Sequence, residues 1–313
     1  MWVAEIFSEI TTELEKVNCK NNAKSLETYD FSTLYTTLPL TDLNEKLAWC
    51  IGKAFNGSKQ KFLSIYQNVA KWVNKPRDST LAWDEDTLKK AVKYLIFHSY
   101  IKIGDKIFLQ IIGIGIGSDP APFMANLYLF SYEFAFMEQK TKTNYSIARK
   151  LSKTKRFIDD LISINGSGNM AKFLSEIYPD GLQPNRENSS FEQATFLELN
   201  IEIKDKQFVT SVYDKRDDFP FAIVQYPSTL SNIPDKIQYN VFISQTIRYI
   251  RVCNRFEPLK NRITLLASKL KSKGAKHSKI KFSLNKCASR CSALIFEKFG
   301  KTVNEFTSEI FSA

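Results

Sequence analysis

Cysteine is scarce and scattered: five residues, at 19, 50, 253, 287 and 291, in a chain of 313. That number and spacing exclude a disulfide framework, so the thiols are expected to be reduced. Histidine is scarcer, with two residues. Cys287 and Cys291 near His277 make only a weak zinc signal, and zinc-centred chemistry is not expected. No apolar run reaches the roughly 18 residues needed to cross a bilayer. The opening MWVAEIFSEITTELEK reads as an amphipathic helix with acidic residues rather than a basic, apolar signal peptide. No membrane partner and an intracellular location are therefore expected. Internal repeats and low-complexity tracts are absent as well. What remains, 43% hydrophobic and 25% charged, is the composition of an ordinary globular protein with room for one large domain or two smaller ones.

The net charge of +11 is not spread evenly. Between 251 and 290, twelve Lys and Arg stand against the single acid Glu257, so this block carries the whole excess. A solvated helix face normally mixes signs. One sign over forty residues points to a polyanionic partner, nucleic acid before membrane.

Residues 41–54 and 84–98 have apolar residues at helical spacing, each opened by a Thr or Asp cap. NGSKQ and NKPRDS between them are rich in turn formers. YIKIGDKIFLQ reads as strand, Gly-Asp turn, strand. FMANLYLFSYEFAFMEQ is apolar on most sides and is expected to be a core helix. KRFIDDLISING reads as a hairpin, followed by a short helix near 170–177. FLELNIEIKDKQFVTSVYD alternates, with Leu197, Leu199, Ile201 and Ile203 on one face and its turn at 204–206. From about 236 the period becomes helical, with Gly274 a plausible helix end. The expected organisation is an α+β body over 1–235 and a basic helical domain over 236–313.

Asp159 and Asp160 lie among Phe157, Ile158, Leu161, Ile162 and Ile164, where buried strand is expected. Adjacent carboxylates resist desolvation there unless a cation or a wet cleft meets them; a plain turn is the simpler alternative. SLETYDFSTLYTTLPL offers a third carboxylate, Asp30, in another strand-like setting. On neighbouring strands, Asp30 and Asp159 would share two divalent cations in the arrangement used for phosphoryl transfer. Hard oxygen donors without a nearby histidine favour Mg²⁺, with Mn²⁺ as a substitute. QIIGIGIGSDPAP places Gly113, Gly115 and Gly117 just before a helix, where backbone can approach a ligand closely.

Asp30 in YDFSTLYTTLP, the loop QIIGIGIGSDPAP and the FIDD hairpin resemble, in order and spacing, motifs A, B and C of a reverse transcriptase palm. FLELNIEI, YDKRDDFPFAIVQYPSTLSNIP and ISQTIRYIRVCNRFE look like the palm-to-thumb region of Penelope-like and related non-LTR retroelements. The likeness runs from about residue 25 to 285. It implies a palm of antiparallel sheet with packed helices, followed by a basic helical thumb. It also implies an RNA-directed DNA polymerase that adds dNTP to a primer 3′-hydroxyl on an RNA template, using two Mg²⁺ ions. Asp30, Asp159 and Asp160 would be the catalytic metal ligands. Tyr35 would be the bulky gate against a ribose 2′-hydroxyl, and Phe31, Gln110 and Gly117 would line the nucleotide site. Arg248, Arg251, Arg255, Lys260 and Arg262 would contact the phosphates of the template and DNA primer. Asp217 and Asp218 are expected to be a solvated turn neutralised by Lys215 and Arg216.

The family's fingers are expected to be largely missing, and no GIY-YIG endonuclease segment is evident. The alternative function is a catalytically inactive, retroelement-derived module that binds nucleic acid. A telomerase-like role is disfavoured, because no dedicated RNA-binding domain is seen before the palm.

Overall fold

Helical and alternating periods resolve into twelve helices and twelve strands in the computed structural model, which describes residues 2–67, 69–78, 80–166, 168–221, 223 and 225–311. The chain opens with α1 (Trp2–Asn18), β1 (Leu26–Asp30), the single turn α2 (Leu34–Thr37) and α3 (Leu40–Ser58). A small sheet follows, β2 (Phe62–Tyr66), β3 (Val69–Val73) and β4 (Leu81–Trp83), and then α4 (Glu85–Phe97). The hairpin β5 (Tyr100–Ile103) and β6 (Lys106–Leu109) leads through the glycine loop to α5 (Ala121–Thr143) and α6 (Tyr145–Leu151). After these come β7 (Thr154–Phe157), β8 (Asp160–Ile164), α7 (Asn169–Ile177) and β9 (Asn185–Arg186). The remaining elements are β10 (Gln193–Phe196), β11 (Leu199–Lys204), β12 (Gln207–Val212), α8 (Lys236–Val252), α9 (Phe256–Ser272), α10 (His277–Arg290), α11 (Ser292–Phe299) and α12 (Val303–Phe311).

Internal packing divides these elements into two units, residues 1–6 with 29–187 and residues 7–28 with 188–313. The boundary expected near 235 falls inside the second unit, because α8 and α9 pack directly on β12. A change of period marked where strands give way to helices; it did not mark where packing stops.

In the first unit the central sheet has the order β7-β8-β1-β9. Its apolar side rests on helices: Tyr29, Phe31 and Leu161 share one core cluster with Leu34, Leu43 and Leu47 from α2 and α3, Leu38 between those two helices, and Ala125, Tyr128 and Leu129 from α5. Asp42 fixes α3 to α5 by accepting from the hydroxyls of Tyr128 at 2.6 Å and Tyr132 at 2.5 Å. Burial and that carboxylate push the Tyr132 hydroxyl up to about 12. The expectation that α5 is core on most sides needs correction. Met124, Ala125, Tyr128, Leu129 and Phe136 are buried, whereas Phe123, Leu127, Phe130 and Phe134 are exposed, since α3 and α7 cover only part of its circumference.

The second unit is built on the antiparallel sheet β10-β11-β12, whose buried face carries Leu199, Ile201, Phe208 and Val212. Leu197 is not on that face; it sits in the bend between β10 and β11 with φ +53°. Two asparagines close the open edge of β12 by acting as substitute strand. Asn18 donates to the Phe208 carbonyl at 2.9 Å and accepts from its N–H at 2.6 Å. Asn254 donates to the same carbonyl at 2.8 Å and accepts from the Thr210 N–H at 2.9 Å. An edge satisfied in this way offers no template for pairing with another strand. Helices α8 to α12 surround a core of Phe242, Ile250, Leu259, Ile263, Leu284 and Phe306.

Candidate active site

Strand pairing brings the first two carboxylates together. β1 lies beside β8 in the central sheet, and the Phe31 N–H donates to the Asp159 carbonyl at 3.2 Å. Asp159 sits in the two-residue bend between β7 and β8. Its carboxyl is held above the usual range, first by burial and further by the charge of Asp30, although its own N–H and that of Asp160 donate to it. Asp159 is thus a half-buried carboxylate within electrostatic reach of a second one, and both offer hard oxygen donors. Asp160 opens β8 opposite Phe157. Among the described residues, no three His, Cys, Asp or Glu side chains gather closely enough to hold a metal, so the pair stands without a third carboxylate drawn in. The same holds around Cys287 and Cys291; burial raises the Cys287 thiol to about 12, and the cysteines are free.

Tyr35 lies on α2 against the core, and its hydroxyl is pushed up by burial and by the charge of Asp159. The ring therefore shares the carboxylate pair's surroundings. Its carbonyl accepts the Ile114 N–H at 2.8 Å, while the Leu38 carbonyl accepts the Gly113 N–H at 2.8 Å. These bonds pin the glycine loop to α2. Gly113, at φ +76°, is the position the loop cannot change, because a Cβ there would lie 2.5 Å from the Tyr35 carbonyl oxygen. Gly117, φ +92°, has open space around it. Gln110 is turned into the loop, donating to the Ile112 carbonyl at 3.1 Å. Phe31 needs correction as a nucleotide-lining residue: it is 3% exposed and packs edge-on against Tyr178 with ring centroids 4.9 Å apart. It follows directly on β1 and is buried in the same core cluster as Tyr29, so it braces the end of the strand.

Sequence reasoning passed over the residue that holds the Asp159 bend. The side chain of Arg156 is 8% exposed. Its guanidinium spans the Glu133 carboxylate at 2.5 and 3.1 Å, and also donates to Asn126 Oδ1 at 2.7 Å and to the Ile158 carbonyl at 2.9 Å. Tyr178 donates to the same Glu133 at 2.8 Å. Ile158 has φ +53°, a conformation that a β-branched residue avoids, and it directly precedes Asp159. Arg156 is thus a positioning residue, holding the strained turn by its carbonyl. The signal available in sequence was slight: Arg156 follows Lys155 in the polar strand TKRF, and only its place just before the apolar Phe157-Ile158 and the Asp pair set it apart.

In the second unit the five basic candidates divide. Arg248 is paired with Glu198 at 2.7 Å. Arg262 is paired with Asp217 and donates to the Val212 carbonyl at 2.8 Å. Arg255 reaches Gln207. Arg251 is exposed and Lys260 is partly exposed. The acidic turn is also held differently from expectation. Arg216 turns to Asp214 at 2.8 Å, Asp217 is met by Arg262, and Asp218 accepts from Tyr213.

The first unit is thus an antiparallel sheet backed by helices, with Asp30 at the end of one strand and Asp159 in the bend that leads into the next, and the second unit joins a further antiparallel sheet to helices. Among solved structures, telomerase from Candida albicans in complex with a TWJ fragment of telomeric RNA is similar, with TM-score 0.60 and 12% identity, over 98% of this chain and 51% of that one. Apo telomerase from Candida tropicalis aligns at TM-score 0.49 and 14% identity, over 99% of this chain and 50% of that one. The chain thus spans about half the length of the telomerases it matches. No protein-family profile matches the chain, and no curated protein matches it in sequence.

Proposed function

We propose that the chain is the catalytic portion of an RNA-directed DNA polymerase, of the retroelement kind that the order of its motifs resembles. The observation that carries this reading is that Asp30 ends β1 while Asp159 lies in the bend leading into the neighbouring β8 and feels its charge, with Tyr35 in the same surroundings. Asp30 and Asp159 would hold the Mg²⁺ ions, or Mn²⁺ in their place. Bound there, the cations would supply charge neutralisation and Lewis-acid activation of a primer 3′-hydroxyl. Arg156 keeps the Asp159 bend in place, Gly113 lets the glycine loop dock on α2, and the Tyr35 ring closes the space that a ribose 2′-hydroxyl would need. The second unit would hold the RNA template and DNA primer through Arg251, Arg255 and Lys260, while Arg248 and Arg262 chiefly support its own packing.

The test is primer extension on a homopolymeric RNA template with Mg²⁺ and dNTP. Asp159→Asn should abolish extension while the melting profile stays cooperative. Tyr35→Val should raise incorporation of rNTP relative to dNTP by tenfold or more; an unchanged ratio would remove Tyr35 from the sugar site. A second reading, a module that grips nucleic acid without chemistry, is favoured by the lack of a third carboxylate gathered with Asp30 and Asp159 among the described residues. It predicts no extension by wild type and hybrid binding that Asp159→Asn leaves unchanged.

A further inference from the structure

We propose that the outward face of α10, with the groove between α10 and α12, binds an unpaired nucleic-acid strand. Lys279, Phe282, Lys286 and Arg290 recur at intervals of three and four residues, so they line one stripe of the helix. The opposite side, with Ile280, Leu284, Cys287 and Ala288, is buried. Phe282 is 70% exposed between two lysines, and α10 contains no acidic residue. Lys279 approaches Asp235 only at 3.9 Å, with both side chains half exposed. Among the described residues, Lys281, Lys286 and Arg290 have no acidic partner.

The stripe borders a groove of about 540 Å³ lined by Lys281, Asn285 and Ser289 of α10 and by Asn304, Thr307 and Ser308 of α12. Apart from the lysine its polar groups are neutral hydrogen-bonding amides and hydroxyls, and Val303 and Phe311 complete the lining. The side-chain amides of Asn285 and Asn304 have no protein partner among the described residues. Cations beside a solvent-facing aromatic ring and a polar trough match the three parts of a nucleotide: phosphate, base face and base edge. The strand must be unpaired, since a duplex hides its base faces from Phe282 and offers only phosphates. A second copy of the chain is a poor occupant, because this face would meet its own charge.

The inference is independent of the carboxylate pair. It is tested without metal or nucleotide, in EDTA, by fluorescence anisotropy of the full chain with labelled oligo(dT) and oligo(rU) of about 12 nucleotides, within the usual span of single-strand sites. Phe282→Ser should weaken binding fivefold or more, as loss of one stacked base does. It should leave the affinity for a blunt RNA–DNA hybrid unchanged within twofold. Lys281→Gln with Lys286→Gln should flatten the salt dependence by about 1.4 in log K against log salt, roughly 0.7 for each phosphate on a single strand. Asp159→Asn should bind the oligomers as wild type does, which separates this test from that of the polymerase reading. Melting of each variant checks that it folds, and Phe282→Leu, which keeps bulk without the aromatic face, should behave as Phe282→Ser does. Unchanged oligomer affinity in Phe282→Ser would overturn the proposal. So would equal losses on oligomer and hybrid, or a Phe282-dependent affinity for phosphatidylserine vesicles with none for the oligomers.

Discussion

Asp159 bears on stability as well as on the proposed chemistry. Its folded pKa is raised, so the fold favours the protonated carboxyl; the stability it allows is fully present below the ordinary carboxylate value near 3.9 and is lost as pH rises through the raised folded value. In EDTA at neutral pH, Asp159→Asn should therefore melt at or above wild type, and the difference should shrink as pH is lowered through the ordinary carboxylate range. Adding Mg²⁺ should raise the wild-type melting temperature and leave the variant where it was. Gly113 makes the complementary case for backbone. Gly113→Ala forces a Cβ toward the Tyr35 carbonyl at φ +76° and should cost about 1–3 kcal/mol in chemical denaturation. Gly117→Ala meets no neighbour and should cost less, although its φ of +92° also favours glycine.

At the scale of elements, the β7–β8 hairpin is legible from sequence, and its support is not. The apolar run around the Asp pair and the Asn165-Gly166 turn mark its limits, and local patterning needs nothing more. The salt bridge that holds its bend joins Arg156 to Glu133, 23 residues earlier on α5, and no local period encodes such a pairing. Arg156→Met strands the Glu133 carboxylate; because Glu133 is 27% exposed, the loss should be about 3 kcal/mol, at the low end for a broken buried pair. Arg156→Lys retains the charge but cannot span Glu133 and reach Ile158 together. It should lower the rate of extension more than it raises KM for dNTP, with nearly native melting; a change in melting alone would reduce Arg156 to a structural residue. The sheet β2–β4 went unread for a related reason. Its strands are largely exposed, and Gln67 turns with φ +44° in a polar stretch, so the burial that produces alternation is absent.

For the whole molecule, charge and packing answer different questions. The lysines and arginines of 251–290 concentrate the net positive charge in the second unit, yet Arg262 is occupied by Asp217 there, and Arg248 just before the block by Glu198. Neutralising Arg251, Arg255 and Lys260 together should flatten the salt dependence of binding to an RNA–DNA hybrid by roughly two, at about 0.7–0.9 for each phosphate that is no longer neutralised. Arg248→Gln should leave the slope nearly unchanged and lower the melting temperature. Equal slopes in wild type and the triple variant would make those three residues ordinary solvated surface.

Local pattern alone determined where most of the longer helices and the hairpins around Asp105 and Asp159 lie, and which block carries the charge. These properties depend on residues within one or two turns of each other, and the chain states them directly. Tertiary structure decided that Asp30 lies beside Asp159, that Phe31 faces inward, that Gly113 rather than Gly117 is constrained, and which arginines are already paired. Each depends on distant residues meeting, and they meet only once packing has chosen which faces come together.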